Sequence, residues 1–505
     1  MVARAASYES DEIPLELRRH SENNISPPAF EDRGTILTGY KLTTVIIGLS
    51  CCVFCTSLDN TIVATTIPRI AADFQSVEDV GCALLIFELG SLICGIAPSS
   101  VVFIIGRAIS GFGGGGLFSG SLVIISECVP VRRRPAFSGL IMGMFAVASI
   151  VAPLLGGAFT DHLTWRWCFY INLPLGAITA VTVFFTFQST DPIVPATRRE
   201  KLWGLDPLGT LFFLPAIVCL LLALQWGGAV YSWADGKIIS LLVVFGVLLV
   251  CFVCLQFYAG EKAMLPPRLL HNRNIWGSAL FSFCMNSSMF IFVYYLPIWF
   301  QAVKGASATK SGLMNLPFIL SNILLTMVSG AVVTLIRYYS PFMFLSATMV
   351  CISSGLLTTL TPTAGSAKWI GYQIFLGISV GIGFQLPIFV VQTTLAAADV
   401  PTATALMTFI PLLGGSVFVS VAQSLFQSSL VGGLNVQLPE LDATVVLAAG
   451  PTGLRDSYEG DTLQKLLGVY NEAVMRTFYP TIGLAAASLL AATVIQWRPL
   501  KVNTN

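Results

Sequence analysis

Charge is what this chain has least of. Asp, Glu, Lys and Arg make up only 10% of its 505 residues, against about a quarter in an ordinary globular domain. The chain is 55% hydrophobic with a mean hydropathy of +0.79. It has too few polar groups to cover its surface in water, so its solvent is lipid. The net charge of +1 lacks the basic footprint that a nucleic-acid partner requires. Histidine is scarce as well: His20, His162 and His271 all fall outside the apolar runs, which excludes a histidine relay at mid-membrane. The P-loop pattern G-x-x-x-x-G-K-[ST] is absent, so nucleotide hydrolysis of that kind is excluded. No clustered His, Cys or carboxylate set suggests an enzyme, and neither a cofactor nor a metal is expected.

Cysteine is present, twelve times, but almost always inside apolar runs, as in Cys51, Cys52 and Cys55 or the pair Cys251/Cys254. C-x-x-C can hold a metal or run redox chemistry. Without a His or a second pair nearby, the cysteines read as small apolar side chains. Residues 1–40 are polar, carry Pro and both charge signs, and lack an apolar signal segment. They are expected to form a disordered cytoplasmic tail.

A hydrocarbon core about 30 Å thick takes about 20 apolar residues per helix. Such runs occur near 42–64, 81–97, 101–127, 136–159, 167–187, 208–227, 238–258, 276–300, 312–335, 341–361, 369–391, 404–429 and 478–497, about thirteen spans in all. Backbone in lipid must satisfy its own hydrogen bonds, so an all-α polytopic membrane protein follows. Positive charge marks the inner loops: Arg132, Arg133 and Arg134, then Arg198, Arg199 and Lys201, then Lys262, Arg268 and Arg273, then Arg337, and finally Arg498 and Lys501. Ten spans after Arg132 return the chain to the inner side. Before Arg132 the count fails: a basic tail on the inner side needs an even number of spans, and three are found. Either one run does not cross, or about 30 residues, one helix and a loop, are missing near Val80.

Asp59, Glu88 and Arg107 are the charges inside apolar runs. At mid-bilayer each costs about 2.5–3.5 kcal/mol, which makes it a functional candidate. The competing account is a position near a helix end, from which the side chain reaches water. Arg107 stands in "GRAISGFGGGG", where Gly111, Gly113 and Gly116 satisfy G-x-G-x-x-G. A dinucleotide loop must follow a strand and open a soluble helix, and neither context exists. Gly111, Gly115 and Ser119 instead place small residues four apart, a face that lets another helix approach closely.

Several motifs together resemble the major facilitator superfamily, in particular its fungal fourteen-span drug:proton antiporters. They are "LDNTIVATTIP" (Leu58 to Pro68), "GRAISGFGGGG", "GMFAVASIVAPLLGGAF" (Gly143 to Phe159), "WRWCFYINLPLG" (Trp165 to Gly176) and "YYLPIWFQAVKGASATKSG" (Tyr294 to Gly312). The resemblance implies two helical bundles with two extra linker spans between them. The expected division is an N-terminal bundle at 41–190, one span short, a linker at 191–265 and a C-terminal bundle at 266–429. An extracellular loop at 430–477 and a last span with its tail at 478–505 complete it. It implies a proton-coupled exporter of small, largely apolar compounds working by alternating access. Asp59, Glu88 and Arg107 would serve proton coupling, and Gly143, Pro153, Gly156 and Gly157 a hinge-like packing contact. Asn60, Asn286, Tyr294, Tyr295, Gln385 and Gln392 would be substrate contacts. Polar packing between helices is the competing role for Asn286 and the residues after it, and a kinked structural helix for the Pro153 segment. A monomer in the plasma membrane is expected, with a vacuolar or vesicular membrane as the alternative. The family's inner loop between its second and third spans has no counterpart here. That gap falls where the span count fails, so a non-transporting sensor or a truncated, defective transporter stays open, as does an importer such as an iron-chelate carrier.

Overall fold

The structure, a computed structural model, describes residues 77–128, 162–186, 206–228, 231–260, 266–336, 338–395 and 399–497, with Ala263 and eight positions between 147 and 159. Asp59 and Asn60, together with Gly143, Pro153 and Gly157, lie outside them. Helices joined by short turns make up the described residues, and nine of these helices are long and apolar enough to cross a membrane. Two apolar helical stretches, Ala83–Ile96 and Trp167–Val181, are shorter.

In the first half, α1 (Val77–Ile96) turns through Ala97, Pro98 and Ser99 into α2 (Ser100–Cys128). The two pack antiparallel along their length, because glycines bring the backbones together. A Cβ at Gly90 would strike Ser110, one at Gly106 would strike Ile93 and Cys94, and one at Gly113 would strike Phe87. The helical turn Trp167–Tyr170 leads into α3 (Asn172–Thr186), which packs on α1.

Next come α4 (Pro207–Trp226) and α5 (Gly236–Ala259). Asp206 caps α4: its carboxylate accepts from Gly209 N at 2.8 Å, and Pro207 follows at the first position. Proline fits there because its missing N–H would have no helical partner. Gln256 of α5 donates to the same carboxylate at 2.8 Å and joins the inner ends of the pair. Along α5 the residues Val243, Val247, Val250, Val253 and Phe257 are exposed, as a lipid-facing helix requires. Cys251 and Cys254 share that exposed surface. Helix α4 is not adrift: Phe213 packs on Phe409, and Ser424 donates to Gly227 O at 2.8 Å.

The second half contains α6 (Arg273–Ala302), α7 (Leu316–Ile336), α8 (Ser340–Leu357), α9 (Ser366–Gly383), α10 (Leu386–Thr394) and α11 (Val400–Gln437). Helix α6 is the central post, packed on α10, α11 and α14 (Tyr479–Val494). Gly414 and Gly415 of α11 press against Ser287 and Phe290 of α6, and Gly377 and Gly381 of α9 against Ser321 and Asn322 of α7. The run taken to end at 429 continues in helix to Gln437, since Leu430 and Leu434 extend its buried stripe. At 38 residues, α11 measures about 57 Å, far more than the bilayer needs. The segment after it folds into α12 (Ala443–Ser457) and the amphipathic α13 (Gly460–Thr477), which lays Leu466, Val469, Tyr470 and Val474 against α11.

Candidate functional site

Two of the three intramembrane charges fall on α1 and α2. The glycine contacts fix the register: Phe87 faces Gly113, Gly90 faces Ser110, and Cys94 faces Gly106. Arg107 therefore lies opposite Ile93–Cys94, about 7.5 Å along the axis from Glu88. Arg107 is buried, and its guanidinium sits over the Phe169 ring at 5.7 Å, an arrangement in which the ring's negative face meets the cation. Glu88 turns toward α3, where its carboxyl rests against Gly176 and both of its oxygens are buried. One turn further, Asn172 donates to Ser91 Oγ at 3.2 Å. Gly111 and Gly115 are buried, and Gly156 is half-buried. Gly106 and Gly113 are the glycines of α2 that face α1 in the register above.

On α6, Asn286 is buried and its amide donates to Ser282 O at 3.1 Å, one turn back in the same helix. Tyr294 is half-buried, while Tyr295 is buried and donates to Gln423 Oε1 of α11 at 2.8 Å. The Tyr295 ring packs on Phe426, which packs in turn on Tyr470 of α13. Gln385 is half-buried at the break between α9 and α10, where Pro387 cannot continue the hydrogen-bond ladder. Gln392 falls on α10 at a position whose side chain is outside the description. The structure thus joins Tyr295 to a partner that sequence inspection missed. Gln423 and Gln427 stand one turn apart in an apolar helix, and that spacing was the available signal.

At the outer end of α6 a second polar cluster closes the bundle. Trp299 donates through Nε1 to Asn471 Oδ1 at 2.7 Å, and Asn471 donates to Leu360 O at 3.2 Å. Lys304 donates to Pro362 O and Ala364 O, both at 2.7 Å, and lies over the Trp299 ring. Burial pulls its ammonium below the ordinary lysine value. Arg455 of α12 donates to Val303 O at 2.8 Å beside Gly305, whose φ of +64° suits glycine. At the inner end, Arg268 and Asp399 form a two-pronged ion pair at 2.8 and 3.1 Å. An open niche of about 450 Å³ lies at the rim of the first half, between the α1–α2 turn and Trp165 and Arg166. Glu88 is not among its lining residues.

This arrangement is that of a known group of membrane proteins. The Major Facilitator Superfamily profile matches residues 80–419. Efflux pump bfoC of Aspergillus brasiliensis is 61% identical over 504 aligned positions, covering 94% of this chain and 90% of the pump. Efflux pump roqT of Penicillium rubens is 46% identical over 92% of each chain. In the bfoC comparison 94% of 505 residues is about 475, so about 30 of the 504 aligned positions face no residue here. Among solved structures, a bacterial homolog to the human lysosomal transporter Spinster, in an inward-facing and unoccupied conformation, superposes with a TM-score of 0.60 at 13% identity. It covers 92% of this chain and all of that one, a likeness of fold. The chain belongs to the major facilitator superfamily, on the branch that holds these fungal efflux pumps.

Proposed function

We propose that this chain is a secondary transporter that exports small, largely apolar compounds in exchange for protons, as a monomer in the plasma membrane. The observation that carries the proton coupling is the burial of the Glu88 carboxyl and the Arg107 guanidinium on adjacent helices. Charge is costly at such a depth, and a site that takes up and releases a proton gives it a use. Asp59, by resemblance, would share the proton, and alternating access would carry it across as the two bundles rock about a central site. The Tyr295–Gln423 pair offers a hydroxyl and an amide beside the Phe426 ring, a surface suited to apolar, weakly polar compounds. Asn60, Asn286, Tyr294, Gln385 and Gln392 complete the proposed contacts. Gly111, Gly115, Gly143, Pro153, Gly156 and Gly157 would let the helices slide.

The test is flux. With the full chain in proteoliposomes, efflux of a fluorescent apolar dye such as Nile red should accelerate under an imposed pH gradient. Equal flux with and without the gradient overturns the coupling.

A second reading has its own support. The unmatched span count and the roughly 30 unfilled aligned positions favour the loss of one helix and its loop near Val80, the length that a span and a short loop require. A first bundle short of that helix would insert poorly or fail to transport. Sequencing the transcript across the codons for Val80 to Leu85 separates the two readings. Extra codons restore the exporter, and their absence favours the non-transporting product.

A further inference from the structure

The seam between α1 and α3 holds more than the transport reading uses. Glu88 and Ser91 are one turn apart on α1, and Asn172 and Gly176 are one turn apart on α3. The Asn172–Ser91 hydrogen bond sets the two helices in register. One turn away the Glu88 carboxyl occupies the space above Gly176, so closely that a Cβ there would overlap it. A glycine is required at that position for the carboxyl to be where it is.

Asn172 is fully buried. Its Nδ2 is used by Ser91, and its Oδ1 has no hydrogen-bond donor. A buried acceptor without a donor is destabilising. An ionised carboxylate offers only acceptors and cannot relieve it, whereas a protonated carboxyl carries one O–H to give. Among the described residues, the other ionisable groups around the seam are few. Helix α2 presents Arg107, the turn before α3 presents Cys168 and Tyr170 against the outer end of α1, and Arg166 is held on Ala97 O. Helix α3 has no titratable side chain, and α1 adds Cys82 and Cys94 and, in its first turn, Glu78 and Asp79.

We propose that Asn172 and Gly176 are positioning residues of a proton site, Gly176 making room for the Glu88 carboxyl and Asn172 Oδ1 accepting the hydrogen bond that protonated Glu88 donates. This conformation then holds its proton at the α1–α3 seam. Sliding α3 along α1 removes the acceptor, and the O–H bond breaks to leave carboxylate while the proton passes to water. The assignment rests on the proton-coupled reading above for its role in transport, but the protonation itself is testable alone.

Infrared difference spectroscopy on the full chain in lipid vesicles at neutral pH reads it without any substrate. The expected result is a carboxyl stretching band that Glu88→Gln removes and that Asn172→Leu shifts toward the position of a carboxyl without a hydrogen bond. Asn172→Ala serves the same purpose if the leucine variant does not fold. Two results overturn the proposal. If Glu88→Gln removes no carboxyl band, Glu88 is ionised and the amide is turned over, with its NH2 toward the carboxylate. If the band is present but unmoved in the Asn172 variants, Asn172 is not the acceptor. A pH-independent dye flux with the band intact overturns the coupling and leaves the proton site standing, so the two readings fail separately.

Discussion

Glu88 and Asp206 are both acids at buried sites, yet they do different work. Asp206 is tied to Gly209 N and to Gln256, so its charge is compensated and it joins α4 to α5. Asp206→Ala should lower stability by about 2 kcal/mol, from a lost helix cap and a stranded amide, while Asp206→Asn recovers part of it. Thermal unfolding in detergent checks this. Glu88→Gln keeps the shape of the side chain, so folded yield should hold while gradient-driven dye efflux falls at least ten-fold. Asn471→Leu strands the Trp299 indole N–H and should cost about 1–3 kcal/mol, again read by thermal unfolding. Glu88 and Arg107 were visible in the sequence because charge in an apolar run stands out. Asn172, Gln423 and Asn471 were not. An uncharged amide in a helix is common, and only its neighbour across the bundle shows whether it is paired.

At the scale of elements, close contact between α1 and α2 is set by glycines. The four-residue spacing of Gly111, Gly115 and Ser119 suggests one packing face. The face that meets α1 carries Gly106 and Gly113, seven apart, because two turns of helix bring a residue back to nearly the same side. Gly113→Val must push α1 away from α2 and should cost about 1–3 kcal/mol as overpacking, seen as a loss of monodisperse protein after detergent extraction. The inner ion pair is a contrasting case. Arg268 is 59% exposed, so Arg268→Ala should change stability by less than about 1 kcal/mol, and by less still in high salt. Among the described residues, helix existence was legible from runs of about 20 apolar residues, while the runs at 42–64 and most of 136–159 lie outside them. The outer extent of α11 was not, because Leu430 and Leu434 are buried by α12 and α13 rather than by lipid.

At the scale of the molecule, the linker helices and the outer helices are both tied to the second half by contacts among the described residues. Helix α4 is fastened to α11 through Ser424 and Phe409, and α12 and α13 are fastened to α6 through Arg455 and Asn471. Rocking of the bundles would therefore carry these four helices together with α6 and α11. A cysteine pair linking α4 to α11 should leave dye flux unchanged, since it joins parts that move as one; loss of flux on oxidation, regained on reduction, would show that they move apart. Inserting an apolar helix and loop of about 30 residues near Val80 should raise flux if the first bundle lacks a helix.

The sequence by itself determined the solvent, the helical class and the resemblance to a transporter family, since each depends on local composition: hydropathy over a span, charge in loops, short motifs. It also located Glu88 and Arg107, whose cost in lipid is a property of the residue. Only the tertiary structure decided what those charges face. Glu88 looks to Gly176, nearly 90 residues on, and Tyr295 looks to Gln423. Such partners are chosen by which helices lie side by side and in what register, and no local pattern in a uniformly apolar chain records that.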